Sequence, residues 1–240
     1  MSNYLLVIPA RYKSTRFPGK PLVDIFGKTM LQRVYERCKK ATGEKNIIIA
    51  TDSKKIAQHC ILKKMNFIIT SSKCMTGTDR VAEVAKKIKK TFYINVQGDE
   101  PLIKPSDIKK IIKCAQKKPN QIFNAMCNIK NEKDFNNISI PKVVTSNKLN
   151  LLYMSRAPIP SSKNKKIIRS KKQVCIYSFP RIALKTFSKN RKTKNEVIED
   201  IEILRFLELG YSVKMIEVSS SSIAVDTPID LLKVKETFAK

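Results

Sequence analysis

The sequence predicts an α/β fold on a mostly parallel sheet, with a smaller β-rich lobe. Three observations predict it. Short apolar runs alternate with amphipathic helix-forming stretches of roughly 10–15 residues through the first half of the chain. That alternation implies parallel strands joined by right-handed crossovers. Polar and charged clusters follow the strand candidates, where such sheets place their ligands.

The elements follow in order. "YLLVI" (Tyr4–Ile8) is a buried-strand candidate. In "KTMLQRVYERCKK", Met30, Val34 and Cys38 fall four apart with Leu31 beside them, which is helical spacing. "NIIIATD" (Asn46–Asp52) reads as a strand, and "SKKIAQHCILKK" as a helix capped by Asp52 or Ser53. "NFIITS" is a third strand. "TGTDRVAEVAKKIKK" is a helix expected to start at Thr78, with Val81, Val84, Ala85 and Ile88 on one face. "TFYINVQ" (Thr91–Gln97) is a fourth strand, and "KPSDIKKIIKCAQKK" a helix with Pro105 in its first turn.

After about residue 130 the rhythm changes. "ISIPKVVTS", "NLLYMSRAPIP" and "QVCIYSF" read as strands of a smaller β-rich lobe over residues 130–190, within one domain spanning 1–240. The basic segment Lys163–Lys172 reads as a solvated loop. One long helix is expected through "EVIEDIEILRFLELG", stopped by Gly210. "YSVKMIEV" is a late strand. "DTPIDLLKVKETF" is a closing helix with Asp226 or Thr227 at its start.

Composition bounds the function. Hydrophobic residues make up 42% of 240, enough for a real core. No run approaches the ~18–20 apolar residues that span a membrane. The N-terminus lacks a signal-peptide pattern, so a cytoplasmic protein without membrane association is expected. The six cysteines are scattered with no C-x-x-C pair, and are expected as free thiols. The net charge is +28, but Lys outnumbers Arg 38 to 10 and the lysines spread along the whole chain. Nucleic-acid readers lean on the bidentate Arg fork, so the charge is read as compositional drift and no nucleic-acid partner is expected. The excess would still draw in polyanionic substrates.

Three stretches could carry chemistry. "IPARYKSTRFPGKPL" places Arg11, Lys13, Arg16 and Lys20 on a loop after the first strand. It matches neither a Walker loop nor a dinucleotide fingerprint. Arg11 and Arg16 can nonetheless bond phosphate oxygens bidentately, Lys20 offers a point charge, and Pro18–Gly19 shapes a tight turn. "NVQGDEP" (Asn95–Pro101) presents carboxylates after a buried strand, a common way to hold Mg²⁺ beside substrate phosphates. Asp99 is the first ligand candidate and Glu100 a structural alternative. In "VDTP", Asp226 is either a helix cap or a ligand.

Together with "ATD", "TGTDRVAEV" and "LLYMSRAPIP", these motifs occur in the order found in the 3-deoxy-manno-octulosonate cytidylyltransferases, the CMP-Kdo synthetases of lipopolysaccharide assembly, which the chain resembles over nearly its whole length. The resemblance implies a Rossmann-like nucleotidyltransferase (GT-A-like) core and a homodimer supported by the 130–190 lobe. It implies that Ala10, Arg11, Arg16, Lys20 and Arg80 bind the nucleotide, and that Asp99 and Asp226 hold Mg²⁺. It places Gln97, Arg156, Tyr177, Glu199 and Glu202 around the sugar acid. Glu196, Glu199 and Glu202 recur every three residues and so are expected on one helix face.

The chain departs from the family at two places expected on the sugar side. It has Gln173 and Cys175 where the family carries His and Gly, and Ile203 where the family carries Gln. The single histidine, His59, is expected at the surface, away from the motifs. The expected reaction is transfer of CMP from CTP to Kdo with loss of pyrophosphate. The departures leave 8-amino-Kdo or a sialic-type nonulosonate as the alternative acceptor.

Overall fold

The computed structural model describes residues 2–13, 17–163, 170–219 and 222–239. In chain order the elements are β1 (Tyr4–Ala10), β2 (Asp24–Ile25), β3 (Lys28–Thr29), α1 (Met30–Thr42), β4 (Ile47–Thr51), α2 (Lys54–Leu62), β5 (Phe67–Ile69), α3 (Gly77–Lys87), β6 (Phe92–Val96), α4 (Pro105–Lys117) and β7 (Ile122–Asn128). There follow α5 (Glu132–Asn136), β8 (Lys142–Thr145), β9 (Leu151–Ser155), β10 (Lys171–Pro180), α6 (Arg181–Lys189), α7 (Lys194–Glu199), α8 (Ile203–Glu208), β11 (Val213–Glu217) and α9 (Pro228–Ala239).

The main sheet runs β11-β7-β10-β6-β1-β4-β5. β1 pairs in parallel with β4 and β6, β4 with β5, and β7 with β11. β10 lies antiparallel between β6 and β7. The fold is therefore α/β with a mostly parallel sheet. β8 joins the first residues of β10, and β9 pairs with β8. The strand read from "QVCIYSF" thus enters the central sheet.

β1 is buried at every residue because helices cover both faces of the sheet. Tyr4, Leu6 and Ile8 face the core under α1, α2 and α4, while Leu5 and Val7 face the core under α3, α6 and α8. That alternation is the period of an extended strand. A third, smaller cluster of Ile25, Met30, Val225, Leu231 and Val234 seats α9.

Several expectations need correction. α3 is capped by Thr76, not Thr78: Thr76 and Asp79 exchange side-chain-to-backbone bonds in a capping box. Ser53, rather than Asp52, caps α2. The expected long helix is two short ones, α7 and α8, broken where Asp200 adopts a left-handed conformation (φ 49°). Glu196, Glu199 and Glu202 therefore share no helix face. α6, β2, β3 and α5 are elements that the sequence reading passed over. His59 is half-buried, and its Nε2 lies 2.8 Å from the Thr29 hydroxyl at the start of α1.

Candidate active site

A cavity of about 630 Å³ opens at the carboxyl ends of β1 and β6. Because β10 runs against its neighbours, its beginning comes to this edge, and Gln97 N–H donates to the Cys175 carbonyl at 3.2 Å. Gly98 lets the turn after β6 close over β1: a Cβ there would stand 3.1 Å from the Pro9 carbonyl oxygen.

The basic loop is pinched at its neck. Gly19, at φ 72°, donates its N–H to the Tyr12 carbonyl at 3.0 Å. A single 3₁₀ turn over Lys20–Leu22 then begins the return. Lys20 Nζ donates to Asp99 Oδ2 at 2.8 Å, to the Val225 carbonyl at 2.9 Å and to Asp226 Oδ1 at 3.2 Å. Burial works to lower the Lys20 pKa, but Asp99 and Asp226 outweigh it and hold the ammonium above the usual lysine value.

Asp226 does not cap α9. Thr227 Oγ1 accepts the Asp230 N–H, and Asp230 Oδ2 accepts the Thr227 N–H and hydroxyl. The Asp226 carboxylate is thereby turned to Lys20. Asp99 and Asp226 present hard oxygen donors of the kind Mg²⁺ takes, and a cation already lies between them. The pair fits a divalent ion completed by substrate phosphates.

Ala10 and Arg11 border the cavity beside this cluster, while Arg16 lies outside the described residues. Arg80 also reaches it from α3, though its guanidinium is almost wholly buried. It is held by the Thr70 hydroxyl and by Asp52, with Arg80 Nη2 to Asp52 Oδ1 at 3.5 Å. Asp52 is a residue that sequence reasoning gave only a capping role, although the quoted "ATD" contains it.

Gln97, Tyr177, Gln173 and Cys175 line another wall. Glu100 turns inward, where its Oε1 accepts the Cys175 N–H at 3.0 Å and burial pushes its carboxyl above the usual range. It is structural. Gln173 donates to Asn124 Oδ1 at 3.0 Å, while Asn124 Nδ2 bonds the Val174 and Ile176 carbonyls and fills the irregularity in β10. Burial, with Cys175 beside it, drives the Tyr177 hydroxyl pKa well up, so it stays a neutral donor.

The acidic residues of the broken helix have three separate jobs. Glu202 borders the cavity, but its oxygens accept Gly77 N–H at 3.1 Å and Thr78 N–H at 2.7 Å at the start of α3. Burial holds its carboxyl above the usual range. Glu199 is not on the cavity wall: it accepts the Ser155 hydroxyl and the Arg156 N–H at the end of β9. Glu196 is buried against Arg205. Arg156 does reach the cavity, yet its guanidinium donates to the carbonyls of Glu199, Ile138 and Asp200. Ile203 is buried in the apolar core, off the cavity wall. Of the two departures, only that in β10 reaches the site.

The cytidylyltransferase family profile matches residues 5–216. The 3-deoxy-manno-octulosonate cytidylyltransferase of Escherichia coli is 37% identical, over 100% of this chain and 98% of its own. That of Geotalea uraniireducens is 41% identical over 98% of each. A solved CMP:2-keto-3-deoxy-manno-octonic acid synthetase, complexed with CTP, superposes with a TM-score of 0.91 at 36% identity and covers 99% of both chains. With that likeness running from end to end, the chain belongs to the 3-deoxy-manno-octulosonate cytidylyltransferases of the cytidylyltransferase family.

Proposed function

We propose that this protein activates 3-deoxy-manno-octulosonate with CTP, giving CMP-Kdo and pyrophosphate for lipopolysaccharide assembly. One observation carries the reaction type: the Lys20 ammonium gathered between Asp99 and Asp226 at the mouth of β1 and β6. The names of the full-length relatives supply the sugar acid.

The anomeric 2-hydroxyl oxygen attacks the α-phosphorus of CTP, the bond to the β-phosphate oxygen breaks, and the hydroxyl proton passes to water. Charge spreads over phosphoryl oxygens, so catalysis is chiefly positioning and electrostatics. Asp99 and Asp226 would hold Mg²⁺, which when bound supplies positive charge at the phosphates and lowers the pKa of the attacking hydroxyl. Arg11 and Lys20 face the triphosphate. Arg80, clamped by Asp52 and Thr70, serves the nucleotide side. Gln97 and Tyr177 offer hydrogen bonds to the sugar, with Gln173 in the place of the family histidine.

A homodimer assembled through the 130–190 lobe accords with the exposed Ile138 and Leu152 there. Among the described residues no helix is long and apolar enough to cross a membrane. The test is pyrophosphate release from CTP and Mg²⁺ with Kdo, 8-amino-Kdo, N-acetylneuraminate or no sugar. Release with Kdo is the expected result. Release only with another acid overturns the assignment and marks Gln173 and Cys175 as the selectivity change.

A further inference from the structure

Lys142 is the most deeply buried lysine of the described chain, at 0% exposure. Its ammonium has three protons, and three backbone carbonyls accept them: Asn137 at 2.9 Å, Ile140 at 2.8 Å and Arg156 at 2.5 Å. A buried ammonium is tolerated only when its donors are met, and here they are.

The carbonyls belong to residues of the cavity wall. Asn137, Ile140 and Arg156 all line it, beside Gln173. Residues 137–139 are exposed, and the segment's own hydrogen bonds are local: Asn137 N–H to the Asp134 carbonyl, Ile140 N–H to the Asn137 carbonyl, and Ser139 N–H to Asn137 Oδ1. Among the described residues, its hydrogen bonds to the rest of the fold come from Lys142 and from Arg156, which donates to the Ile138 carbonyl. Arg156 is in turn fixed by Glu199 and Asp200. One ammonium therefore ties the loop before β8 to the end of β9.

We propose that Lys142 is a positioning residue that sets the acceptor side of the cavity, by holding the Asn137–Ile140 segment and Arg156 in one register. The inference rests on the function proposed above. Lys142 touches no substrate; it fixes the wall against which the sugar acid is read. The nucleotide cluster at Lys20, Asp99 and Asp226 shares none of its hydrogen bonds, so loss of Lys142 should fall on the acceptor alone.

The experiment compares wild type with Lys142→Met and Lys142→Arg. Three quantities are measured: KM for Kdo, Kd for CTP, and amide exchange across residues 137–140. Lys142→Met is expected to raise the Kdo KM at least about tenfold and to speed exchange in that segment, since small misplacements at a reacting centre are costly. The CTP Kd should stay within about twofold. Lys142→Arg, which keeps the charge and its donors, should recover part of the loss. Equal weakening of CTP and Kdo, or no change in either KM or exchange, overturns the proposal. Should Lys142→Met fail to fold, Lys142→Gln is read in the same way. Failure of both to fold also overturns it, because Lys142 would then serve global stability. A wild type silent toward Kdo counts against the proposed function, whereas unchanged exchange at 137–140 in the variant counts against Lys142 alone.

Discussion

Lys20 and Asp99 stand 79 positions apart in the chain and are joined at 2.8 Å, with Asp226 completing the group at 3.2 Å. Asp99→Asn preserves shape and an acceptor but removes the charge that a divalent ion needs. Turnover is expected to fall by about two orders of magnitude or more at limiting Mg²⁺. CTP and Kdo titrations of initial rate would measure it. A variant with near wild-type turnover at low Mg²⁺ would end the metal-binding role assigned to Asp99.

The same cluster predicts a pH dependence. The folded-state pKa of Lys20 lies above its ordinary 10.5, so the folded state binds the proton more tightly than the unfolded chain. Its stabilising contribution is complete below pH 10.5 and is lost as pH rises through the folded value. The stability gap between wild type and Lys20→Met, from urea midpoints, is expected to be constant near neutrality and to narrow in strong alkali. A gap that widens with alkali would contradict the ion-pair origin of the shift.

Arg205 and Glu196 form a two-pronged pair, Nε to Oε2 at 2.5 Å and Nη2 to Oε1 at 2.6 Å, with Arg205 at 0% exposure. The guanidinium also lies 3.6 Å from the Phe187 ring centre. Among the described residues, Glu196→Ala leaves a buried cation with Asp79 at 3.5 Å, two carbonyls and the Phe187 ring around it. The expected loss is about 3–5 kcal/mol, read as a drop in denaturation midpoint at unchanged m-value. A loss below about 1 kcal/mol would mean that water reaches Arg205.

This pair also shows where sequence legibility ended. The first half of the chain was readable because apolar periodicity and the positions after strands were both intact, and they led to Lys20 and Asp99; Arg80 and Gln97 were named only through the family resemblance. "EVIEDIEILRFLELG" holds no Gly or Pro before its end, so local propensity favours one helix. Tertiary demands break it: Glu196 must reach Arg205, while Glu202 must reach the start of α3, and Asp200 takes the left-handed turn between them. α6 follows Pro180 with no side-chain cap to announce it. The cap of α9 was ambiguous because Asp226 and Thr227 are both good caps, and only the reciprocal Thr227–Asp230 bonds decide between them. Lys142 in "PKVVTS" resembles any strand lysine, since its partners are carbonyls that composition cannot reveal.

Gly77 and Gln97 make the next prediction. A Cβ at Gly77 would stand 2.7 Å from Gln97 Nε2, the free end of a flexible side chain. Gly77 is the first residue of α3, where alanine is a better helix former by up to about 1 kcal/mol. Gly77→Ala should therefore fold as well as wild type, while Gln97 swings away from its place on the cavity wall. kcat/KM for the sugar acid is expected to drop roughly tenfold with the CTP Kd unchanged, the signature of a lost acceptor contact. An unaltered sugar-acid kcat/KM would show that Gln97 does not touch the acceptor.

His59 gives a direct spectroscopic test of the packing behind the site. The Thr29 hydroxyl accepts the Gln32 N–H at the start of α1 and lies 2.8 Å from His59 Nε2, a hydrogen bond whose direction follows the ring tautomer. Burial, aided by the charge of Lys63, lowers the His59 pKa below 6.5. The unfolded chain then binds the proton more readily than the folded one, so His59 contributes stability above pH 6.5 that is lost as pH falls through the folded value. The chain has one histidine, so a single ring resonance reports the titration without assignment. Its midpoint should lie below 6.5, with the denaturation midpoint declining across the same window. A midpoint at or above 6.5 would show that the burial of His59 does not persist in solution.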